Sequence, residues 1–248
     1  SAWRMTLLEV CCPFDVELHA LFPPVVATDL MAMDPLTLAG QLQTLLSLRG
    51  EAVSNPDEGC AWTGDLHGLW QLHQHHDFRS LADEVIARVW IYLERTGFDL
   101  DQIALHLQRC WPVLSMAGQV VGRHHHPNAH VSAVVYLSGD GQGQEGALCL
   151  HARHQLNELV PGLAVGHGGP IREHHPHNQR LWTLNPEPGL LVIFPSRLDH
   201  SVGDNNDEES LRVSISFDFV LTALASSSPA EYLAPQPHHW HRCERPLS

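Results

Sequence analysis

Three histidines in this chain have the types and spacing of a metal site. His124 and His126 form a His-x-His pair in a turn between two apolar segments. Side chains two positions apart in an extended strand point to the same face, so both imidazoles can approach one ion. His200 follows a buried apolar run that Pro195 interrupts, and it can supply a third ligand. Because neutral imidazole is the commonest metal ligand, these three are the predicted catalytic and metal-binding residues.

The remaining histidines need no such interpretation. The chain has 20 histidines in 248 residues, and an arbitrary surface histidine is rarely a ligand. The three above differ because each one lies at the boundary of a predicted β-strand. His125 should point away from its neighbours and is not predicted to bind metal. A C-terminal group lacks the flanking pattern of a fixed site and comprises His238, His239, His241 and Cys243.

A second feature that could do chemistry is a charged residue in an apolar strand. The alternating segment 211–219 carries Arg212 and Ser214 on one face. Its other residues include Val213 and Ile215, which indicate a partly buried strand. The plainer interpretation of Arg212 is a strand arginine in a salt bridge. A guanidinium that faces the interior requires an anion there, so the segment predicts an anion-binding site.

The elements that must position these residues predict an α+β protein. Asp34 as N-cap, Pro35 at the first helical position and Gly50 as a left-handed cap predict one helix. A second helix is predicted over residues 80–96, with Ser80 and Asp83 as a weak capping box. From about residue 103 the pattern favours strands. We therefore expect a double-stranded β-helix core, of the jelly-roll or cupin-like kind, braced by N-terminal helices.

The predicted domain organisation is simple. Residues 1–225 should form a single double-stranded β-helix domain, with a helical part at about 30–97 and a β core at about 103–221. Residues 226–248 are rich in Ser and Pro without periodicity, which predicts a surface tail. The segment His151–Pro188 is rich in Gly, Pro and His, and a loop of this length inside a domain is typical of a lid.

Composition narrows the class of partner. The formal net charge of −14 argues against nucleic acid and anionic membrane surfaces, which require basic patches. No signal peptide and no run of about 18 apolar residues is recognisable, and the six cysteines form no C-x-x-C pair. The expectation is a reducing, cytoplasmic compartment with no membrane partner.

Several short sequence pieces have a characteristic order and spacing. In chain order they are SNPDEGCAW, Trp111, Gly118, His124-x-His126-Pro127, VVYLS, FPSRLDHSVGDN and RVSISFDF. On these pieces the chain resembles a bacterial family of 2-oxoglutarate-Fe(II) oxygenases, related in fold to the prolyl hydroxylases. The resemblance runs from about Leu21 to Leu221. One departure is Val113, where family members tend to carry Asn after the tryptophan.

The resemblance implies a role for each candidate residue. His124 and His200 look like the first and last iron ligands. His126 stands where most oxygenases of this superfold carry Asp or Glu, so it is either a third ligand or a residue that orients water or substrate. Arg212 would pair with the distal carboxylate of 2-oxoglutarate through two parallel hydrogen bonds. Hydroxyl donors would come from Ser214 and Tyr136.

The implied function is that of a non-haem Fe(II), 2-oxoglutarate-dependent oxygenase. It would use O₂ to hydroxylate a small molecule, an amino acid or a peptide-derived substrate. A homodimer is a further expectation.

Two other functions fit the same architecture. Gly118, five residues and then His124-x-His126 fits the first cupin motif, and Gly189 to His200 fits much of the second. A three-histidine cupin could be a metal dioxygenase or isomerase that does not use 2-oxoglutarate. A non-catalytic β-helix protein that binds metal or a small ligand is the third hypothesis. Arg212 separates them, because only the oxoglutarate interpretation requires it.

Overall fold

The computed structural model describes residues 23–51, 54–55, 57–142, 146–152, 180–205, 211–224 and 233–243. These residues form two α-helices, α1 (Pro35–Arg49) and α2 (Arg79–Arg95), with ten strands and four short 3₁₀ turns. In chain order the strands are β1 (Ala27–Leu30), β2 (Trp62–Thr63), β3 (Ile103–Ser115), β4 (Val121–His124), β5 (Val131–Tyr136), β6 (Leu148–His151), β7 (Leu181–Leu184), β8 (Leu190–Pro195), β9 (His200–Val202) and β10 (Arg212–Ala223).

The strands form two antiparallel sheets. The larger has the order β1-β8-β5-β10-β3-β2, and the smaller has the order β4-β9-β6-β7. Neighbours in each sheet are far apart in sequence, as in a jelly roll, so most contacts that hold the sheets together are non-local. The predicted α+β class with a double-stranded β-helix core is confirmed.

Both faces of the larger sheet are buried, and strand alternation separates them. On one face of β10, Val213, Ile215 and Phe217 join the main apolar core. That core also receives one face of α2, including Val85 and Leu93. The opposite face of β10 points toward the smaller sheet and carries polar residues, namely Arg212, Ser214, Ser216 and Asp218. A two-residue period therefore assigns apolar side chains to the helices and polar side chains to the space between the sheets.

Helix α1 follows the sequence prediction at its start. It begins at Pro35, and the Asp34 carboxylate accepts a hydrogen bond from the Thr37 N–H at 2.8 Å. Gly50 follows the last residue with a φ of 61° and a ψ of −134°. The positive φ explains the glycine, although this ψ lies outside the left-handed helical region that the sequence predicted.

Helix α2 begins one residue earlier than predicted. Its N-cap is Phe78, which makes no side-chain capping bond. Ser80 lies inside the first turn, so the predicted capping box with Asp83 is wrong. The helix starts here because its apolar side packs on the larger sheet, and that packing outweighs a cap. Within the described residues, neither helix is long and apolar enough to cross a membrane.

Two segments expected to lack structure contain some. The segment His151–Pro188 includes strand β7, which pairs with β6. Most of that segment, residues 153–179, lies outside the described residues. The predicted lid role therefore stays a prediction. In the predicted tail, Leu233 packs against the main core and the Ala223 N–H donates to the Ala234 carbonyl at 2.8 Å. That stretch therefore lies against the end of β10.

The packing of α2 on the sheet yields a stability prediction. Leu93 is 0% exposed in the main core, whereas Ile91 is 46% exposed on the same helix. Leu93→Ala should lower the free energy of unfolding by about 2–5 kcal/mol, since it removes buried methyl groups and leaves a cavity. Ile91→Ala should change it by less than about 0.5 kcal/mol. Urea unfolding measures both, and equal losses would contradict this packing.

Candidate active site

Backbone pairing in the smaller sheet brings two distant histidines together. His124 ends β4 and His200 begins β9, and these two residues are direct partners in the register. Their ring centroids lie 4.3 Å apart. The turn before β9 is closed by the Leu198 N–H, which donates to the Pro195 carbonyl at 2.8 Å. The structure thus joins the His-x-His pair to the distant histidine, as the spacing predicted.

His126 reaches the same place by another route. Strand β4 ends at His124, so the expectation that both side chains project from one strand face is wrong. The His126 N–H instead donates to the Ser196 carbonyl at 2.9 Å, which anchors the residue beside the larger sheet. Its ring centroid lies 5.2 Å from that of His124 and 5.0 Å from that of His200. A loop contact, rather than strand alternation, completes the group.

Hydrogen bonds determine which ring nitrogen is available in two of the histidines. The His124 Nδ1 lies 2.7 Å from the Gly122 carbonyl, and the His200 Nδ1 lies 2.8 Å from the Leu198 carbonyl. A carbonyl oxygen can only accept, so each Nδ1 carries the proton and each Nε2 keeps its lone pair. This arrangement orients an imidazole as a metal ligand.

The third histidine has a charged partner that sequence reasoning missed. The His126 Nδ1 lies 2.6 Å from the Asp218 carboxylate, which also accepts from Ser132 at 2.7 Å and from Arg109 at 2.6 Å. Burial by itself would raise the pKa of Asp218, but these three donors outweigh it and lower the pKa below its ordinary value. A signal was available, because alternation along β10 places Asp218 on the same face as Arg212.

The three imidazoles together could hold a metal ion. Potential ligand atoms of His124, His126 and His200 all lie within 4.8 Å of one another. Burial, with the nearby His124 ring, lowers the pKa of His200 to about 3, so that imidazole is neutral at physiological pH. A neutral imidazole is the form that ligates.

A second group of potential ligands has a different character. His75, His76 and Asp77 also lie within 4.8 Å of one another. The Asp77 carboxylate already accepts from the Thr44 hydroxyl at 2.6 Å and lies 3.0 Å from the His76 Nε2. These three residues are sequence neighbours at the surface, and none of them lines the cavity described next.

A cavity of about 270 Å³ adjoins the histidine group between the two sheets. Arg212, Ser214 and Tyr136, predicted to hold a cofactor, line it together with the three histidines. The other lining residues are Thr63, Asp65, Leu66, Arg109, Trp111, Val113, Val121, Ser132, Ala133, Val134, Leu148, Val202 and Ser216. All six predicted site residues therefore face one space.

Arg212 is a buried cation with unused hydrogen-bonding capacity. It is 3% exposed, and none of its three guanidinium nitrogens has a hydrogen-bond partner among the described residues. Its guanidinium carbon lies 4.7 Å from the centre of the Tyr136 ring, and the Tyr136 hydroxyl is also buried without a hydrogen-bond partner. Burial lowers the pKa of Arg212 and raises the pKa of Tyr136.

Gly146 makes room for this arginine. Its φ is 60°, and a Cβ at this position would collide with the aliphatic part of the Arg212 side chain. The residue precedes β6 in the smaller sheet, so the two sheets approach each other closely at Arg212. Sequence reasoning did not single out this glycine.

Comparison with known families identifies the core of the chain. Residues 109–218 match the family described as "Putative 2OG-Fe(II) oxygenase". Over these residues the chain is similar to the 2OG-Fe(II) oxygenases. The matched segment contains all six predicted site residues and Asp218, and the family is named for Fe(II) and 2-oxoglutarate. The predicted resemblance to this family is thereby confirmed, whereas its bacterial subdivision and the roles of individual residues stay predictions.

Several solved structures have a similar fold. SnoN, a non-heme alpha ketoglutarate dependent epimerase from nogalamycin biosynthesis, is 18% identical with a TM-score of 0.53, over 90% of each chain. SnoK, a carbocyclase from the same biosynthesis, is 12% identical with a TM-score of 0.51, over 80% of this chain and 81% of that one. HygX from Streptomyces hygroscopicus, solved with nickel and 2-oxoglutarate, is 14% identical with a TM-score of 0.50, over 79% and 82%. No curated protein matches the chain in sequence.

The histidine geometry predicts one specific metal site. His124→Ala and His200→Ala should each abolish binding of a divalent ion such as Co²⁺, because each removes one of three imidazoles whose potential ligand atoms lie within 4.8 Å of one another. His75→Ala is the matched control and should leave binding unchanged, since its cluster lies outside the cavity. Calorimetric titration of the purified protein measures all three. Loss of binding in His75→Ala alone would assign the site to the surface cluster.

Proposed function

We propose that the cavity is the active site of a non-haem Fe(II), 2-oxoglutarate-dependent oxygenase. In this proposal His124, His126 and His200 bind the iron through their Nε2 atoms. The observation that carries the proposal is the buried Arg212 at the other side of the same cavity, whose guanidinium has no hydrogen-bond partner among the described residues. The family match supports the cofactor pair, and the contacts within the cavity support the residue assignment.

Arg212 argues for a carboxylate ligand. A guanidinium presents five N–H donors, and leaving them buried without acceptors costs several kcal/mol in total, at about 1–3 kcal/mol or more per group. The distal carboxylate of 2-oxoglutarate would accept two of them in parallel. Ser214 lies two residues further along β10, on the same face, and is the register partner of Tyr136. The Tyr136 hydroxyl is a second buried donor without a hydrogen-bond partner among the described residues. A cupin that works without 2-oxoglutarate would leave this cation unpaired.

The chain's other residues shape the reaction space. When bound, iron and 2-oxoglutarate supply the chemistry that oxidises a substrate C–H bond with O₂. Val134, Leu148 and Val202 contribute apolar walls to the cavity. The three protonated Nδ1 atoms hold the imidazoles in fixed orientations, so the metal position is set before substrate arrives.

The substrate is proposed to bind at the end of the cavity opposite Arg212. Arg109 is the register partner of Asp218, six residues from Arg212 along β10, which is about 20 Å in an extended strand. There the Asp65 Oδ1 and the Arg109 Nε are buried, and neither atom has a hydrogen-bond partner within the part of the chain that the structure describes. An orphaned acceptor beside an orphaned donor suits a small polar molecule with hydroxyl or amine groups. Two of the similar structures come from the biosynthesis of a natural product, which supports a small-molecule substrate.

Arg212 provides the direct test of the function. The wild type with Fe(II) should convert 2-oxoglutarate to succinate. Arg212→Ala should weaken 2-oxoglutarate binding by about 1.5–3 kcal/mol, because it removes a charge-assisted pair. Arg212→Lys should restore binding only in part, since an ammonium cannot form the planar fork. Titration calorimetry measures binding, and metal affinity should stay at the wild-type value. If the wild type binds iron but no 2-oxoglutarate, the oxygenase proposal is wrong and the cupin alternative is favoured.

A pair of glycine variants tests whether the position of Arg212 matters while its charge is kept. Gly146→Ala should also weaken 2-oxoglutarate binding, because the added methyl group displaces Arg212. Gly118→Ala is matched in backbone strain, with a φ of 76°, but nothing lies within 4 Å of its Cβ position. It should therefore keep wild-type affinity for 2-oxoglutarate.

The substrate end yields a separate prediction. Small hydroxyl- or amine-bearing compounds that stimulate succinate formation identify substrates of the wild type. Asp65→Asn should lose most of that stimulation, because the carboxylate that accepts the substrate's donors is gone. Its affinity for 2-oxoglutarate should not change. Full stimulation in Asp65→Asn would place the substrate elsewhere in the cavity.

Four earlier expectations stay predictions. They are the domain boundary at about 225, the homodimer, the cytoplasmic location and the lid role of His151–Pro188. Size-exclusion chromatography with light scattering tests the dimer directly.

A further inference from the structure

We propose that Asp218 is a positioning residue that holds His126 in its ligating form and supplies the negative charge that three histidines lack. The inference rests on the proposed metal site. As the resemblance implies, His126 stands where most oxygenases of this superfold carry Asp or Glu. Here the carboxylate stands one hydrogen bond further from the metal position.

The contacts of Asp218 indicate which ring nitrogen of His126 carries the proton. The carboxylate is 0% exposed. Its Oδ1 accepts from the His126 Nδ1 at 2.6 Å and from the Ser132 hydroxyl at 2.7 Å, and its Oδ2 accepts from Arg109 at 2.6 Å. The Ser132 hydroxyl also lies 2.9 Å from the Ser196 hydroxyl and 3.1 Å from the His126 Nδ1. Because an ionised carboxylate can only accept, the Nδ1 of His126 carries the proton, and its Nε2 is left as the potential ligand atom.

His126 differs from its two neighbours in the partner of its Nδ1. The Nδ1 atoms of His124 and His200 donate to neutral backbone carbonyls. Only His126 donates to a carboxylate, and a hydrogen bond to a charged acceptor is stronger and makes the imidazole a more basic ligand. Asp218 thus restores, through His126, part of the negative charge that a ligating carboxylate would contribute.

Arg109 explains how the Asp218 carboxylate can be buried here although it does not bind the metal ion itself. Its guanidinium pairs with Asp218, lies 3.6 Å from the Asp65 carboxylate and stands 4.7 Å from the centre of the Trp111 ring. The Trp111 ring in turn lies 5.6 Å from His126. These contacts hold Asp218 rigidly against the imidazole, and rigidity is what a positioning residue requires.

The test compares one substitution in two backgrounds. Asp218→Asn in the otherwise wild-type protein should weaken Co²⁺ binding by roughly 10–100-fold, because the supporting charge is lost. His126→Asp places a second carboxylate beside Asp218, and two buried like charges repel each other. In the His126→Asp background, Asp218→Asn should therefore strengthen Co²⁺ binding. Calorimetric titration of the four purified proteins gives this reversal of sign directly.

A merely structural carboxylate would behave differently. Asp218→Asn would then weaken metal binding by a similar factor in both backgrounds, and that result would overturn the inference, as would wild-type affinity in the single variant. Asp77→Asn is the matched control, since this carboxylate is also hydrogen-bonded, at 2.6 Å to Thr44, but lies outside the cavity. It should bind Co²⁺ as the wild type does.

A measurement on the unaltered protein covers the case in which Asp218→Asn does not fold. Long-range ¹⁵N–¹H correlation spectra of the metal-free wild type should show His126 protonated at Nδ1 and bare at Nε2. A proton on Nε2 would overturn the inference without any substitution. A wild type that binds no Co²⁺ would instead remove the proposed metal site, which is a different failure from a site that binds metal independently of Asp218.

Discussion

The structure depends on burial of both faces of one antiparallel sheet. Strand β10 lies between β3 and β5 in the middle of that sheet, and its side chains alternate between two environments. Val213 and Ile215 face the core shared with α2, whereas Arg212 and Ser214 face the cavity. A register shift of one residue would exchange these sets, placing charges against the helices and apolar groups in the cavity. The fold and the site are therefore specified by the same alternation.

The two ends of the polar face of β10 carry opposite charges, and they differ in whether those charges have hydrogen-bond partners. Asp218 is buried and receives three hydrogen bonds from protein donors. Arg212 is buried and receives no acceptor among the described residues. The protein balances one charge internally, and the other is the charge that we propose a ligand pairs with. Such an arrangement trades stability of the empty cavity for affinity toward an anion of complementary shape.

Local sequence patterns predicted the elements and several site residues, because those depend on neighbours along the chain. The Asp34 cap, the strand alternation around Arg212 and the apolar run before His200 are all local signals. Asp218 was missed because its function depends on Arg109 and His126, which are 109 and 92 residues away in sequence. The start of α2 was misplaced for a related reason, since its packing on the sheet, rather than a capping box, determines where it begins. Gly146 was missed because only the approach of Arg212 gives it a role.

Strand β4 lies at the edge of the smaller sheet and pairs only with β9 among the described strands. Its register contains an irregularity between Val121 and His124, so few backbone hydrogen bonds hold its end. A metal ion shared by His124 and His200 would act there as a non-covalent cross-link between segments 76 residues apart in sequence. Closing so long a loop carries an entropic cost, and metal binding and the backbone hydrogen bonds would offset it together. Assembly of the catalytic centre and completion of the sheet edge would then be one cooperative event, with stability rising with metal concentration.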